Sequence, residues 1–252
     1  MNNPSGVKKN VCIVIPCFNE EKGLAVWEYS HFLEENPDVL ICFVNDGSSD
    51  NTLDILEGLK NSFPKQVIVH SYIKNMGKAE AIRSGFHYCH YHYNFDYIAY
   101  LDADLATSLE ECLAMTAHLN DKITFAFGSR IKRIGAVIER SHYRFFIGRI
   151  IATVISFILN LNVYDTQCGC KVFSTALAEE VFKDPFVSKW LFDVEIFNRI
   201  IKFYGRDKVL EKMLEVPLVK WIDKGDSKVK ASYFLKLWID LYRINKICNS
   251  KK

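Results

Sequence analysis

The 252-residue sequence has no long uninterrupted hydrophobic run. Its longest apolar stretch, Ile147 to Leu161, is broken by Gly148, Arg149 and Ser156, and it falls short of the roughly 20 apolar residues that span a bilayer. A spanning helix is excluded there, whereas a helix lying on a membrane surface is not. No apolar leader follows Met1, because residues 1–10 are largely polar. A secretory signal is thus not expected, and the eight cysteines read as buried small hydrophobes or free thiols in a reducing cytoplasm. Cys168-Gly169-Cys170 is too short for a zinc knuckle and has no second half elsewhere. His87, His90 and His92 lack ligand spacing and read as a polar helix end. A formal charge of +2 leaves no excess of either sign and argues against nucleic acid as a partner. There is no internal repeat and no low-complexity linker, so the chain is expected to form a single domain over residues 1–252.

What is present is ordinary globular composition, 49% apolar and 25% charged, arranged as alternating strands and helices. Val11 to Ile15 is closed by Pro16, and Leu40 to Val44 by Asn45-Asp46-Gly47; both read as buried parallel strands feeding functional loops. Glu20 to Glu35 has the length and period of a helix, and Ser49-Asp50-Asn51-Thr52 offers a cap ahead of Leu53 to Leu59. Gln66 to Ser71 is a third strand, about Lys78 to His90 a helix, and Tyr97 to Leu101 the next strand. This order predicts an α/β fold with a mostly parallel, Rossmann-like sheet and helices on both faces. Further on, the pattern predicts helices over Leu109–Leu119, about 142–160, Thr175–Phe182, Phe192–Phe203 and Ser232–Cys248. It predicts strands over Thr124–Gly128, Lys171–Ser174 and Lys208–Val219, and a loop over Asp226–Lys230.

The chemistry concentrates where apolar strands end. Tyr97-Ile98-Ala99-Tyr100-Leu101 runs directly into Asp102-Ala103-Asp104. In an open α/β sheet, ligands gather at the carboxyl ends of strands. A hard cation takes one or two carboxylates there while phosphates complete its shell. Asp102 and Asp104 are therefore candidate ligands of Mg²⁺ or Mn²⁺ carrying a diphosphate. If the strands are parallel neighbours, Pro16-Cys17-Phe18-Asn19-Glu20 and Asn45-Asp46-Gly47-Ser48-Ser49-Asp50 converge on the same edge and describe a nucleotide-sugar pocket. Asp46 can accept from a base imino group or a ribose hydroxyl, Gly47 permits close backbone approach, and Asp50 suits a helix cap.

These residues, together with Asn75-Met76-Gly77-Lys78, Gly128-Ser129-Arg130, Glu139-Arg140-Ser141, Asp165-Thr166-Gln167-Cys168-Gly169-Cys170-Lys171, Phe192-Asp193-Val194-Glu195 and Gly225-Asp226-Ser227-Lys228-Val229, resemble family 2 glycosyltransferases of the GT-A fold. The resemblance is strongest to the dolichyl-phosphate β-glucosyltransferase branch. It implies a nucleotide-sugar half over about 10–130 and an acceptor half, with C-terminal helices, over about 131–252. It further implies that Pro16, Asn19 and Glu20 line the nucleotide, that Asp46 contacts the base, that Lys78 lies near the nucleotide or its phosphates, and that Asp102 and Asp104 hold donor and metal. Ala106 stands where the family usually carries a polar third ligand.

The implied reaction is inverting transfer of a hexose, with UDP-glucose the first choice of donor, to a polyprenyl or dolichyl phosphate. Arg130, Lys132, Arg133, Arg140, Arg144 and Arg149 offer a positive segment for phosphates, with Arg130 and Arg140 as the catalytic candidates. A lipid monophosphate is already largely ionised at neutral pH, whereas a sugar hydroxyl would need a base. Asp193 is the candidate base or acceptor-site organiser, and Glu195 shares its face only if that segment is extended. Gln167 and Gly169 suit the wall of a sugar pocket, and Cys168 reads as a structural thiol. Two alternatives stand beside this reading: a transferase acting on a sugar hydroxyl in surface polysaccharide synthesis, and a non-catalytic nucleotide-sugar-binding subunit. Members of the dolichyl branch usually carry an N-terminal membrane anchor, and none is read here. Peripheral binding to the cytoplasmic membrane face through the helix near 142–160, recruitment by a partner, or a soluble acceptor would each fit.

Overall fold

Alternation along β1 (Val11–Cys17) sends Cys12 and Val14 to one face of a sheet and Val11, Ile13, Ile15 and Cys17 to the other. All six are at most 2% exposed, the burial expected of an interior parallel strand covered on both faces. β2 (Val39–Asp46) divides in the same way, with Cys42 and Val44 opposite Ile41 and Phe43. The computed structural model describes residues 10–139, 142–224, 238–244 and 246.

Five further strands complete the main sheet: β3 (Val67–Tyr72), β4 (Tyr97–Leu101), β5 (Phe125–Ser129), β7 (Cys170–Ser174) and β8 (Met213–Pro217). Their order is β3-β2-β1-β4-β7-β5-β8, and only β7 runs against its neighbours. Two short strands, β6 (Val137–Glu139) and β9 (Lys220–Ile222), pair in parallel as a separate ribbon. One face of the main sheet is covered by α1 (Val26–Glu35), α2 (Thr52–Ser62) and α4 (Leu109–Met115), through Tyr29, Phe32, Leu56 and Leu109. The other face is covered by α3 (Lys78–His92), α5 (His142–Leu159), α6 (Thr175–Phe182), α7 (Phe192–Tyr204) and α8 (Arg206–Lys212), through Ile82, Phe86, Ile155, Leu177, Phe197 and Val209. The expected α/β architecture, a mostly parallel sheet with helices on both faces, is the observed one.

Three local departures have physical causes. The helix expected from Glu20 begins only at Val26. Ser48 Oγ takes the amide of Asn19, Thr52 Oγ1 that of Glu20 and Asp50 that of Glu21, which binds this segment to the loop after β2 as a turn. Pro16 does not stop β1, because β4 partners only Val11–Val14 and the missing N–H lies beyond that ladder. The strand expected from Lys208 is helical as far as Lys212, since Gly205 at φ +78° ends α7 and starts α8. Residues 238–244 are helical, with Leu241 and Ile244 in the core. The expected loop 226–230, the motif 225–229 and the first part of the last helix lie outside the described residues.

Seven cysteines are buried and form no disulfide among the described residues, as expected. His87 meets the Phe182 carbonyl at 2.9 Å and His90 lies 3.5 Å from Glu179, so the α3 histidines do form a polar helix end. The ends of β1, β2 and β4 point the same way, bringing their following loops to one edge of the sheet.

Candidate active site

The site is assembled outward from Asp46, the last residue of β2. Its Oδ1 accepts from the Met76 amide at 2.6 Å and its Oδ2 from the Gly77 amide at 2.8 Å. Gly47, at φ +67°, lets the two loops meet: a Cβ there would lie 2.5 Å from the Lys74 carbonyl carbon. Burial pushes the Asp46 carboxyl up, opposed by those two amides. Asp46 thus fixes the start of α3, and α3 carries Lys78 to the end of β4.

There the Lys78 ammonium bonds Asp102 Oδ1. Burial works against its charge, but Asp102, Asp193 and Asp104 outweigh that effect and hold Lys78 above the ordinary lysine value. Asp104 accepts from the Ala106 amide at 3.0 Å, and burial together with Asp102 raises its carboxyl. The turn between the two carboxylates is pinned from the far face, where the buried Tyr29 hydroxyl donates to the Ala103 carbonyl at 3.0 Å. Leu105 follows at φ +50°. On the other side stands Gly169, whose carbonyl accepts from the Asp102 amide at 3.1 Å.

A Cβ at residue 169 would lie 1.9 Å from Asp102 Oδ2 and 2.3 Å from its Cγ, so the carboxylate rests directly on the glycine. In Gly169→Ala, relief comes only from swinging that carboxylate away. On the expectation that Asp102 holds donor and metal, divalent-cation-dependent nucleotide affinity should fall by about tenfold or more, measured by calorimetry on protein that still melts cooperatively.

Asn19, at φ +52°, accepts from the Ser49 amide at 2.8 Å, which ties the loop after β1 to the loop after β2. Pro16 and Glu20 are half-buried on the same edge. Asp50 takes the Thr52 amide at 3.1 Å in an Asx turn; the N-cap of α2 is Asn51, one residue later than expected, and its side chain makes no capping bond. Gln167 is half-buried beside Gly169, with its amide on Asp165 Oδ1 at 3.1 Å. Cys168 is fully buried, and burial with Asp165 nearby pushes its thiol up to about 11, which suits a structural residue and not a nucleophile.

Arg130 and Arg149 of the basic segment meet consecutive residues of one later loop, Asp165 and Tyr164. Arg130 is held by Asp165, with Nε 2.6 Å from Oδ2 and Nη2 2.8 Å from Oδ1, and its guanidinium lies over the Trp221 ring at 5.2 Å. Arg149 donates to the Tyr164 carbonyl at 2.8 Å and stacks on that ring at 3.7 Å. Lys132 and Arg133 are exposed, whereas Arg140 and the Arg144 side chain lie outside the described residues.

The segment around Asp193 is helical, so Asp193 and Glu195 diverge. Asp193, 6% exposed, accepts from the Lys171 ammonium at 2.6 Å and from the Tyr100 hydroxyl. Glu195 instead takes the amides of Val187 and Ser188 at 3.0 and 2.7 Å. Tyr29, Tyr100, Lys171 and Asp165 were not singled out individually from sequence. The helical period marks Tyr29, and the apolar strand marks Tyr100, only as core positions, and Lys171 alone carries a signal, a charge inside an apolar strand.

Among the described residues no three His, Cys, Asp or Glu side chains converge. Two adjacent carboxylates that already attract a cation do fit a divalent ion whose other ligands are diphosphate oxygens and water; Ala106 adds none.

A sheet of this order, with paired carboxylates at the end of β4 and three loops gathered over them, is the architecture of GT-A glycosyltransferases. Solved structures share it. Glucosyl-3-phosphoglycerate synthase from Mycobacterium tuberculosis, crystallised with Mn²⁺, uridine diphosphate and phosphoglyceric acid, aligns with TM-score 0.69 at 15% identity over 96% of this chain and 79% of that one. Mannosyl-3-phosphoglycerate synthase from Rubrobacter xylanophilus aligns with TM-score 0.67 at 16% identity over 95% and 73%. The profile described as Glycosyl transferase family 2 matches residues 12–182. A dolichyl-phosphate beta-glucosyltransferase of Trichomonas vaginalis is 33% identical over 92% of this chain and 69% of its own length. The Homo sapiens dolichyl-phosphate beta-glucosyltransferase is 30% identical over 91% and 78%. The chain belongs to glycosyltransferase family 2.

Proposed function

We propose that this glycosyltransferase moves a hexose, glucose from UDP-glucose, with inversion to a polyprenyl or dolichyl phosphate. The observation that carries the acceptor class is the state of Asp193. A hydroxyl acceptor needs a base within reach, but this carboxylate is buried and its Oδ1 is shared by Lys171 and Tyr100. A phosphate monoester arrives ionised and needs none. Asp193 accordingly serves as an organiser of the acceptor side. The glucosyl donor and lipid acceptor are supported by the relatives whose names carry them, each matched over most of its length.

In this reading Pro16, Asn19 and Glu20 border the nucleoside, and Asp46 contributes through the loop it holds. Lys78 and the metal-holding pair Asp102 and Asp104 face the diphosphate, and Gln167 faces the sugar. A bound Mg²⁺ or Mn²⁺ supplies Lewis-acid stabilisation of the departing diphosphate, worth several kcal/mol. Lys78 adds a fixed positive charge beside the same oxygens, and the buried Tyr29 clamp keeps the carboxylate turn from reorganising. Arg130 and Arg140 serve the acceptor phosphate.

Among the described residues no helix is long and apolar enough to cross a membrane. α5 nevertheless exposes Phe146 (65%), Ile150 (60%) and Phe157 (82%) along one side while Ile155 and Leu159 are buried on the other. That pattern suits a helix resting on the cytoplasmic face of a bilayer.

The test is transfer of labelled glucose from UDP-glucose with Mn²⁺, first to a short polyprenyl phosphate in detergent and then to a long one in vesicles. Labelled lipid is expected in both; donor binding without labelling would overturn the phosphate-acceptor reading. The variant Ile150→Asp/Phe157→Asp should keep the detergent reaction and lose most of the vesicle reaction. Equal loss in both would remove the membrane role of α5.

A further inference from the structure

Lys171 is the least exposed charged side chain of the described residues, at 0%, and no step of the proposed reaction uses it. It lies on β7, opposite Tyr100 of β4 and Phe127 of β5, on the face packed by α7. A buried ammonium demands compensation, and Asp193 supplies it at 2.6 Å. The second bond of the ammonium, to the Cys168 carbonyl at 2.7 Å, neutralises no charge. Its effect is on the chain: it fastens the turn that leads into β7, three residues back along the sequence.

That turn forms one wall of the candidate donor site. Gly169, the residue after the held carbonyl, accepts from the Asp102 amide at 3.1 Å, and its Cα supports the Asp102 carboxylate with no room for a methyl group. Tyr100, two residues before Asp102, bonds the same Asp193 oxygen that Lys171 does. Three short links therefore join Lys171 to the backbone and the side chain of Asp102. Displacements of about 1 Å at such a place can cost about a hundredfold in rate.

We propose that Lys171 is a positioning residue for the donor site: its ammonium holds the Cys168 carbonyl and so keeps Gly169 seated against the Asp102 carboxylate. The inference rests on the reading of Asp102 as a donor-site residue. The competing role is a counter-charge for Asp193 and nothing more, and the two separate in a pair of variants. Lys171→Met alone would strand a buried carboxylate and risks unfolding. Asp193→Asn leaves the buried ammonium without its counter-charge but keeps its bond to Cys168, whereas Lys171→Met/Asp193→Asn restores charge balance and loses that bond, so a pure counter-charge role makes the double variant the better of the two and a positioning role makes it the worse.

The measurement is Mn²⁺-dependent UDP affinity by calorimetry on both variants and on wild type, with thermal melts alongside. Asp193→Asn is expected to bind UDP more tightly than the double variant, whatever its own loss against wild type. The double variant is expected to melt cooperatively yet bind UDP about tenfold or more weakly, and to raise the KM for donor more than it lowers kcat. Equal affinity in the two variants, or tighter binding by the double variant, would overturn the inference and leave Lys171 as a counter-charge. Wild type that binds no UDP with Mn²⁺ would overturn the donor-site reading itself, and the role of Lys171 with it.

Discussion

Asp104→Ala should lower transfer from UDP-glucose by about three orders of magnitude while the protein stays folded. Three decades correspond to about 4 kcal/mol of lost transition-state stabilisation, within the range a metal contributes at a departing diphosphate. The fold has little to lose. β4 ends at Leu101, which is fully buried, and among the described residues the Asp104 side chain bonds only the local amide of Ala106. Its carboxyl is raised by burial and by Asp102, so the folded state holds that proton more tightly than the unfolded chain does. Such a group lowers stability as pH rises through the interval between its unfolded and folded values. Its removal should therefore leave the melting temperature at neutral pH unchanged or slightly higher. Asp104→Asn, which keeps the shape and removes the charge, should match alanine in activity. Transfer at the wild-type rate in either variant would remove Asp104 from the metal site.

The sequence alone revealed those parts of the site that depend on short stretches. An apolar run ending in Asp102-Ala103-Asp104 is a strand end with carboxylates wherever the strand sits, and β1 and β2 announce themselves by unbroken apolar character. The loop-to-loop bonds were not readable. Glu20 to Ala25 reads as the first turns of a helix, but side chains some 30 residues away, Asp50 and Thr52, capture its amides. Local propensity yields to such tertiary bonds. Lys171, Asp193 and Tyr100 meet only because β7 enters the sheet reversed between β4 and β5, and pairing direction is not written in any one strand. The partners of the arginine run were not readable either: Asp165 and Tyr164, which hold Arg130 and Arg149, come from a later loop.

Arg130→Met should destabilise the protein by about 3–5 kcal/mol, the cost of removing one partner of a buried ion pair. Asp165 is 6% exposed and receives both the Nε and the Nη2 of Arg130, as well as the Arg130 amide at 3.1 Å. Although burial opposes it, the guanidinium holds the Asp165 carboxyl down at about 2. A depressed carboxyl contributes stability that is present above its unfolded value, near 4, and lost as pH falls toward 2. Wild type should show that acid limb in its melting temperature, and Arg130→Met should flatten or invert it. Arg130→Met/Asp165→Asn leaves no stranded charge and should recover most of the lost stability. The double variant also separates scaffold from chemistry. The bonds to Asp165 use Nε and Nη2, so the two donors of Nη1 remain for an acceptor phosphate oxygen. If Arg130 serves that phosphate, the recovered fold will still show a KM for lipid acceptor raised by about tenfold or more, with donor affinity little changed. Transfer that recovers together with stability would make Arg130 the partner of Asp165 alone, and the acceptor phosphate would then have to be met by Arg140 or by the exposed Lys132 and Arg133.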